Sequence, residues 1–178
     1  MKILILIISI LSMNIACASS EYEEILHHVG KGKNKKALVL LEDYLDKHPP
    51  LFRSYFLLGM LYLKDGKAEQ SVKALEVVPE EEREANYWFL KLNAYLESSD
   101  RSPLRIHDIG EVLDRVVEAV IFLPDGADET LFKAAMITGD GRVEAICKKF
   151  ELSEDPRCGK LNKQTADQPD TGAGTTHE

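Results

Sequence analysis

The sequence has little of what marks a nucleic-acid-binding protein. Basic residues number 22 against 30 acidic ones, which gives the 178-residue chain a formal charge of -8. A net negative charge repels nucleic acid and anionic lipid unless a local basic patch overrides it. The densest basic cluster lacks the interleaved aromatic residues that would stack on bases, and it consists of Lys31, Lys33, Lys35 and Lys36. We therefore expect no nucleic-acid partner.

The residue patterns of common reactive sites are missing as well. Around Gly32 the chain lacks the earlier glycine and the hydroxyl residue that a GxxxxGK[ST] phosphate loop needs. The five histidines are scattered, and the adjacent pair His27 and His28 would not face each other on a helix. Zinc sites normally show close cysteine or histidine pairs at two places, which this chain does not have. We expect no cofactor, no metal and no enzymatic activity.

The longest apolar segment, "MKILILIISILSMNIA", opens the chain. It is too short and too early for an ordinary membrane-spanning helix, so we predict an export signal over residues 1–18. Cleavage before Ser19 would use the small residues of "ACA". Cleavage before Cys17, with acylation of its sulfur, would give a bacterial lipoprotein, although Asn14 departs from the large aliphatic residue usual at that position. We expect a periplasmic or lipid-anchored envelope protein, with membrane contact only through an anchor at Cys17.

Processing at either site leaves two thiols in the mature domain, Cys147 and Cys158. An even number of cysteines in an oxidising compartment favours a disulfide. The loop between them is short, and closing it would stabilise the fold by roughly 3 kcal/mol. The alternative is a pair of unbonded thiols, with Cys147 buried as a small apolar residue.

Strand-forming patterns are nearly absent, and apolar residues instead recur three or four positions apart, as in amphipathic helices. Glycine and proline separate these segments. The valine-rich run 116–124 has a β-rich composition but continues the helical spacing. We expect one helical domain over residues 19–152 and, because large apolar residues are lacking near the end, a disordered tail over 153–178. The helical segments are 23–29, 36–45, 52–63, 68–78 and 85–96.

A 34-residue displacement relates two parts of the chain. Gly32 and Lys33 recur as Gly66 and Lys67. Self-similarity at this period is typical of arrays of helical hairpins. In such an array each hairpin buries its apolar face against the next one. Four further pairs keep the same displacement and mostly the same size class: His28 and Tyr62, Ala37 and Ser71, Leu41 and Leu75, and Tyr44 and Val78.

The hairpin over 52–78 resembles the tetratricopeptide repeat family. That family's motif has an aromatic residue, then Leu-Gly, then tyrosine, a glycine turn, and a small and a large residue on the second helix. This chain fills those positions in order with Tyr55, Leu58, Gly59, Tyr62, Gly66, Ser71 and Leu75. The resemblance implies an all-α fold, a solenoid of three to four helical hairpins.

The other hairpins match the motif less completely. The preceding hairpin keeps the small, large and proline positions of its second helix, whereas in the third Asn93 replaces the motif glycine and Leu96 its tyrosine. If the polar loop 98–108 holds about seven extra residues, the displacement predicts another corner at Gly141. A fourth hairpin would then span 127–152.

In the resembled family the first helices of successive repeats line a concave groove. The matching positions here are apolar, and an exposed apolar row suggests docking of a partner helix or extended peptide. The alternative is that the chain's own packing buries part of the row. One subfamily grips a carboxylate with lysine and asparagine where this chain has Phe56 and Met60, so we do not expect that mode. The row consists of Tyr22, Leu26, Phe56, Met60, Leu90, Ala94, Leu131 and Ala135.

We therefore predict a non-enzymatic scaffold or adaptor of the cell envelope that binds a protein partner through this row. One alternative is a structural subunit that self-associates through the same surface. Another is a hydrolase or transferase with a site in the loop 98–108, in which His107 and Asp108 would act together.

Overall fold

The computed structural model describes residues 20–49, 51–120, 126–139, 141–152 and 154–159. Within those ranges the regular structure is helical and no strand occurs, which confirms the predicted all-α class. The predicted export signal and Cys17 lie outside the described residues, as does the chain beyond residue 159. None of the described helices is both long enough and apolar enough to cross a membrane.

The helices follow the predicted order along the chain. The first, α1, covers residues 20–30. The next are α2 (Asn34–Lys47), α3 (Phe52–Lys64), α4 (Ala68–Glu76), a 3-10 turn (Glu80–Glu82) and α5 (Ala85–Glu97). The last are α6 (Pro103–Ala119), α7 (Ala127–Thr138), α8 (Arg142–Lys149) and the single turn α9 (Pro156–Gly159).

The two predicted glycine corners share one backbone structure. Gly32 follows α1 with φ 68° and Gly66 follows α3 with φ 74°, in the left-handed region that favours glycine. In each corner the glycine N–H donates to the carbonyl three residues earlier, and the next lysine N–H donates to the carbonyl five residues earlier, at 2.9–3.0 Å. These are the paired hydrogen bonds of a Schellman motif. The 34-residue repeat in sequence is therefore also a repeat of conformation.

The corner predicted at Gly141 is built differently. There α7 ends at Gly139, which has φ 66° and donates its N–H to the carbonyl of Ala135 at 3.2 Å. Gly141 has φ -67° and directly precedes α8. The N–H of Gly139 thus donates to the carbonyl four residues earlier, as in the αL motif, whereas Gly32 and Gly66 donate three residues back. The 34-residue displacement correctly predicted a corner between two helices here. The glycine with the left-handed backbone angle, however, is Gly139, two positions before the predicted Gly141.

The third hairpin was expected to hold about seven extra residues in a loop, but the structure places most of that segment in a helix. We expected a polar loop over 98–108, but α6 begins at Pro103. Ser102 caps it, since its Oγ accepts a hydrogen bond from the N–H of Arg105 at 3.3 Å, and proline suits the first helical position. The loop is therefore confined to 98–102.

Each helix packs mainly on its neighbours in the chain. From α2 onward consecutive helices are in contact, α3 also packs on α5, and α5 also packs on α7. Ile25 of α1 lies in a core cluster with Leu38 and Leu41 of α2. A larger cluster joins α4 to α8 and includes the fully buried Leu113 and Ile146. The core thus consists of two clusters that both include residues of α4, and its contacts are local in sequence.

The central hairpin depends on close contact at Gly59. A Cβ atom there would lie 2.8 Å from Cγ of Leu75, nearer than side chains approach each other. The Oγ of Ser71 donates a hydrogen bond of 2.7 Å to the Gly59 carbonyl. Leu75 and Ser71 are completely buried. Three residues of the predicted motif therefore hold α3 against α4.

Ordered structure continues past residue 152, where we expected the domain to end. Cys147 and Cys158 form the predicted disulfide and tie α9 to α8, with Cα atoms 5.9 Å apart. The Arg157 guanidinium lies 3.9 Å from the centre of the Phe132 ring, and its Nη2 is 2.6 Å from Oδ2 of Asp128. These contacts attach α9 to α7 and α8.

Candidate functional site

A groove with apolar walls lies between α3 and α5. Phe52, Phe56 and Met60 recur every four residues along α3 and form one wall. Phe89 and Leu90 of α5 lie opposite Phe56 and Met60. All five side chains are partly exposed, and two shallow cavities meet at Phe56. These five residues define what we call the α3–α5 groove.

The sequence of α3 explains why this wall stays accessible. Leu57, Leu58 and Leu61 point into the core, each with at most 8% of its surface exposed. Phe56 and Met60 lie on another side of the same helix, which is apolar over more of its circumference than the core covers. Both side chains are partly exposed. An apolar surface therefore remains at the junction of two hairpins.

Polar side chains border the α3–α5 groove. Asn86 and Asn93 are two turns apart on α5, so they lie on one side of that helix. Asn93 donates from Nδ2 to the carbonyl of Phe89 at 2.9 Å, and Thr130 donates to its Oδ1 at 3.4 Å. At the other end Glu82 and Glu84 contribute carboxylates. The groove thus has an apolar floor and a polar rim, as protein-binding surfaces commonly do.

The structure brings together three residues of the predicted row, and these are Phe56, Met60 and Leu90. Leu131 does not join them, because it is completely buried in the core beneath α7. Its neighbour Thr130 instead reaches the groove border through Asn93. The predicted row therefore does not continue onto α7 through Leu131.

The predicted residues of α1 lie apart from the α3–α5 groove. Tyr22 packs on the ring of Tyr44, with 5.4 Å between ring centres. Leu26 is 42% exposed and is not among the residues that line the groove. The predicted row is therefore interrupted: Phe56, Met60 and Leu90 share one surface, and the exposed Leu26 lies apart from it.

Two groove residues were not assigned to the row from the sequence. Phe52 lies four residues before Phe56, so helical spacing alone would have found it. Phe89 lies 34 residues after Tyr55, at the aromatic position of the repeat motif, and the motif does not indicate that this side chain is exposed. Both are partly exposed and line the groove.

The two residues of the alternative catalytic site lie in a helix and not in a loop. His107 and Asp108 are consecutive residues of α6, where neighbouring side chains diverge rather than face each other. His107 is exposed, and Oδ2 of Asp108 lies 3.6 Å from Nη1 of Arg105. This arrangement does not place a carboxylate on the histidine ring, as a general-base pair requires.

Cations and aromatic rings alternate along another side of α5. Arg105 lies 4.3 Å from the centre of the Tyr95 ring, and Lys91 lies 5.5 Å from it. Burial, with a smaller contribution from Asp108, raises the pKa of Tyr95 to about 12, and burial lowers the pKa of Lys91. Tyr95 is therefore neutral at physiological pH. These contacts fit a stabilising role, since such cation–π pairs contribute roughly 0.5–1 kcal/mol at exposed sites.

Among the described residues, no group of histidine, cysteine, aspartate and glutamate side chains is arranged to hold a metal ion. Comparison with protein-family models, with curated proteins and with solved structures returned no significant match to this chain.

Proposed function

We propose that this protein is a non-enzymatic interaction scaffold, built as a tetratricopeptide-like solenoid, that binds an apolar segment of a partner protein in the α3–α5 groove. The observation that carries the proposal is the convergence of Phe56, Met60 and Leu90 from two hairpins on one accessible surface. Aromatic and methionine side chains are enriched at the centres of protein interfaces.

Local packing supports the solenoid part of the proposal. The Schellman corners at Gly32 and Gly66 repeat with the sequence period. Gly59 and Leu75 make the close helix contact that the motif residues of the family suggest. Helices also contact the next helix and the next but one, as α3 does with α4 and α5. Stacked hairpins of a solenoid have this pattern of neighbours.

The dimensions of the α3–α5 groove suit a short segment. From Phe52 to Phe56 and Met60 the wall rises by roughly 12 Å, at 1.5 Å per helical residue. That length accommodates two or three apolar anchors, from either a helix or an extended peptide. Glu82 and Glu84 at one end would favour a basic residue on the partner. From the predicted export signal, we expect this interaction to take place in the cell envelope.

Charge substitutions in the wall test the proposal. In tagged full-length protein crosslinked in its native envelope, Phe56→Asp and Met60→Asp should each reduce partner recovery by about thirtyfold, as expected for central interface residues. Met136→Asp is the matched control, because Met136 is 76% exposed on α7, outside the groove. Circular dichroism checks that the variants fold. Equal recovery with all three folded variants would refute the groove.

A second copy of the chain is the alternative occupant. Self-association in the micromolar range would appear in sedimentation velocity as a concentration-dependent species. If Phe56→Asp abolished that species while crosslinking recovered no other protein, the function would be that of a structural subunit and not of an adaptor.

A further inference from the structure

The stacking of hairpins joins two groups of lysines that are separate in the sequence. The corner between α1 and α2 and the corner between α3 and α4 lie side by side, because they are equivalent points of consecutive hairpins. A shallow surface depression is lined from both corners, by Lys33, Lys35 and Lys36 on one side and Lys64 on the other. The four-lysine cluster of the sequence is thus part of a larger patch. We call it the lysine edge: Lys31, Lys33, Lys35, Lys36, Lys64 and Lys67.

Asp65 is the carboxylate that lies within the lysine edge. Its Oδ2 is 2.9 Å from Nζ of Lys67, and its Oδ1 is 4.0 Å from Nζ of Lys35. The side chain of Lys35 is nevertheless 91% exposed. Within the described part of the chain no ion pair joins Lys33 or Lys64 to a carboxylate. Two carboxylates act on the six lysines, Asp65 and, on Lys67, also Glu42, so that most of the positive charge is uncompensated.

The lysine edge reverses the sign of an otherwise acidic molecule. The whole chain has a formal charge of -8, and the 3-10 turn Glu80–Glu82 lies in the connection at the other end of the central hairpin. A molecule with charge divided in this way is oriented by an external charged surface. An anionic surface would attract the lysine edge and turn the acidic connection away.

The chemistry of the lysine edge favours a lipid surface over a nucleic acid. All its cations are lysines, which act as flexible point charges and lack the planar fork with which arginine grips a single phosphate. Binding of single strands relies on accessible aromatic faces. The ring of Tyr62 is near Lys67, but it packs against the core and its hydroxyl donates to Glu42 at 2.6 Å. Exposed lysines on a helical corner instead suit a fluid array of phosphate headgroups.

We propose that the lysine edge docks this protein on an anionic phospholipid surface. The interaction is additional to any lipid anchor and does not use the α3–α5 groove. Val39, which is 63% exposed one turn after Lys35 on α2, adds an apolar group beside the charges. Such docking would hold the hairpin corners at the headgroups and leave the groove open to a partner.

Vesicle sedimentation with the full chain tests the docking. The triple variant Lys35→Gln, Lys36→Gln, Lys64→Gln is compared with the control Lys73→Gln, Lys148→Gln, Lys149→Gln, which loses the same charge at exposed positions elsewhere. Binding to phosphatidylcholine vesicles with and without phosphatidylglycerol is compared in order to measure the contribution of lipid charge. Any binding through the apolar first residues of the chain contributes to both measurements and cancels in the comparison. Each lysine near an anionic surface contributes roughly a factor of five. The first variant should therefore lose about a hundredfold in its preference for anionic vesicles, and the control should lose little.

Any of three results would overturn the proposal. The first is equal binding of the wild-type chain to both vesicle types. The second is an equal loss of affinity in the two triple variants, which would indicate an effect of net charge rather than of the lysine edge. The third is tighter binding of the wild-type chain to a single-stranded oligonucleotide than to anionic vesicles at the same salt concentration. Circular dichroism of both variants verifies that they are folded.

Discussion

The central and the last helical hairpin are held together by different means. In the central hairpin α4 buries five residues, among them Ser71 and Leu75 against Gly59 of α3. In the last hairpin α8 buries only Ile146, and the disulfide and Arg157 supply the contacts of α9. An interior hairpin is covered by neighbours on both sides, whereas an end hairpin is covered on one. The crosslink and the charged contacts thus occur where apolar packing is least.

The largest loss of stability is expected from a core substitution in the central hairpin. Leu75→Ala removes a completely buried side chain and should lower the free energy of unfolding by about 4 kcal/mol, through lost burial and the resulting cavity. Urea unfolding followed by circular dichroism measures it. The control is Val77→Ala, a 52% exposed apolar residue close by, which should change the value by less than about 0.5 kcal/mol. A similar loss for both would mean that the hairpin does not depend on this contact.

Removal of the disulfide should cause the next largest loss of stability, and the loss should be confined to the last hairpin. Cys147→Ser with Cys158→Ser opens a loop with a sequence separation of 11 and should cost about 3 kcal/mol. Amide hydrogen exchange should show faster exchange in α8 and α9 than in the parent protein, with α3 and α4 little changed. An equal increase of the exchange rate in both hairpins would show that the disulfide does not stabilise the last hairpin specifically.

Substitutions of the corner glycines should change stability to different extents, according to the backbone angle φ at each position. Gly66→Ala forces a side chain into the left-handed region and should cost about 1 kcal/mol. Gly141→Ala has φ -67° and should be neutral or slightly stabilising. Thermal unfolding of the two variants compares them directly. A larger loss from Gly141→Ala would show that this glycine, and not Gly139, is the essential residue of the last corner.

The smallest effect is a pH dependence of the last hairpin. Hydrogen bonds from the side chain and then the backbone of Arg157 lower the pKa of Asp155 from 3.8 to about 2. A lowered folded-state pKa stabilises the fold above the unfolded value, and that contribution is lost as the pH falls from about 4 through about 2. The protection of α9 amides from hydrogen exchange, measured relative to the intrinsic exchange rate at each pH, should therefore fall over this range. Asp155→Asn should remove this fall, and an unchanged pH profile in that variant would exclude Asp155 as its cause.

Much of the fold followed from helical spacing and from the 34-residue repeat. These patterns report on contacts within a hairpin and between neighbours, which is why the corners at Gly32 and Gly66 were located correctly. They do not report which glycine takes a left-handed angle or where a cap begins a helix. Both Gly139 and the start of α6 at Pro103 depend on such local hydrogen bonds.

The groove was less predictable than the fold. Phe56, Met60 and Leu90 share an accessible surface, as expected, because they occupy equivalent positions of two neighbouring hairpins. Leu131 is completely buried in the core, although the repeat assigns it to the row. Its burial depends on how α7 packs on its neighbours, and a periodic pattern does not contain those contacts. The repeat motif itself matches incompletely there.

The most direct test of the central claim is site-specific photocrosslinking in the native envelope. A photoreactive phenylalanine analogue at Phe89, in the groove, is compared with the same analogue at Met136, which is exposed on α7. We expect a discrete adduct with one partner protein from position 89, lost when Met60→Asp is added, and none from position 136. The same adduct from both positions, or one from position 89 that Met60→Asp leaves unchanged, would contradict binding in the α3–α5 groove.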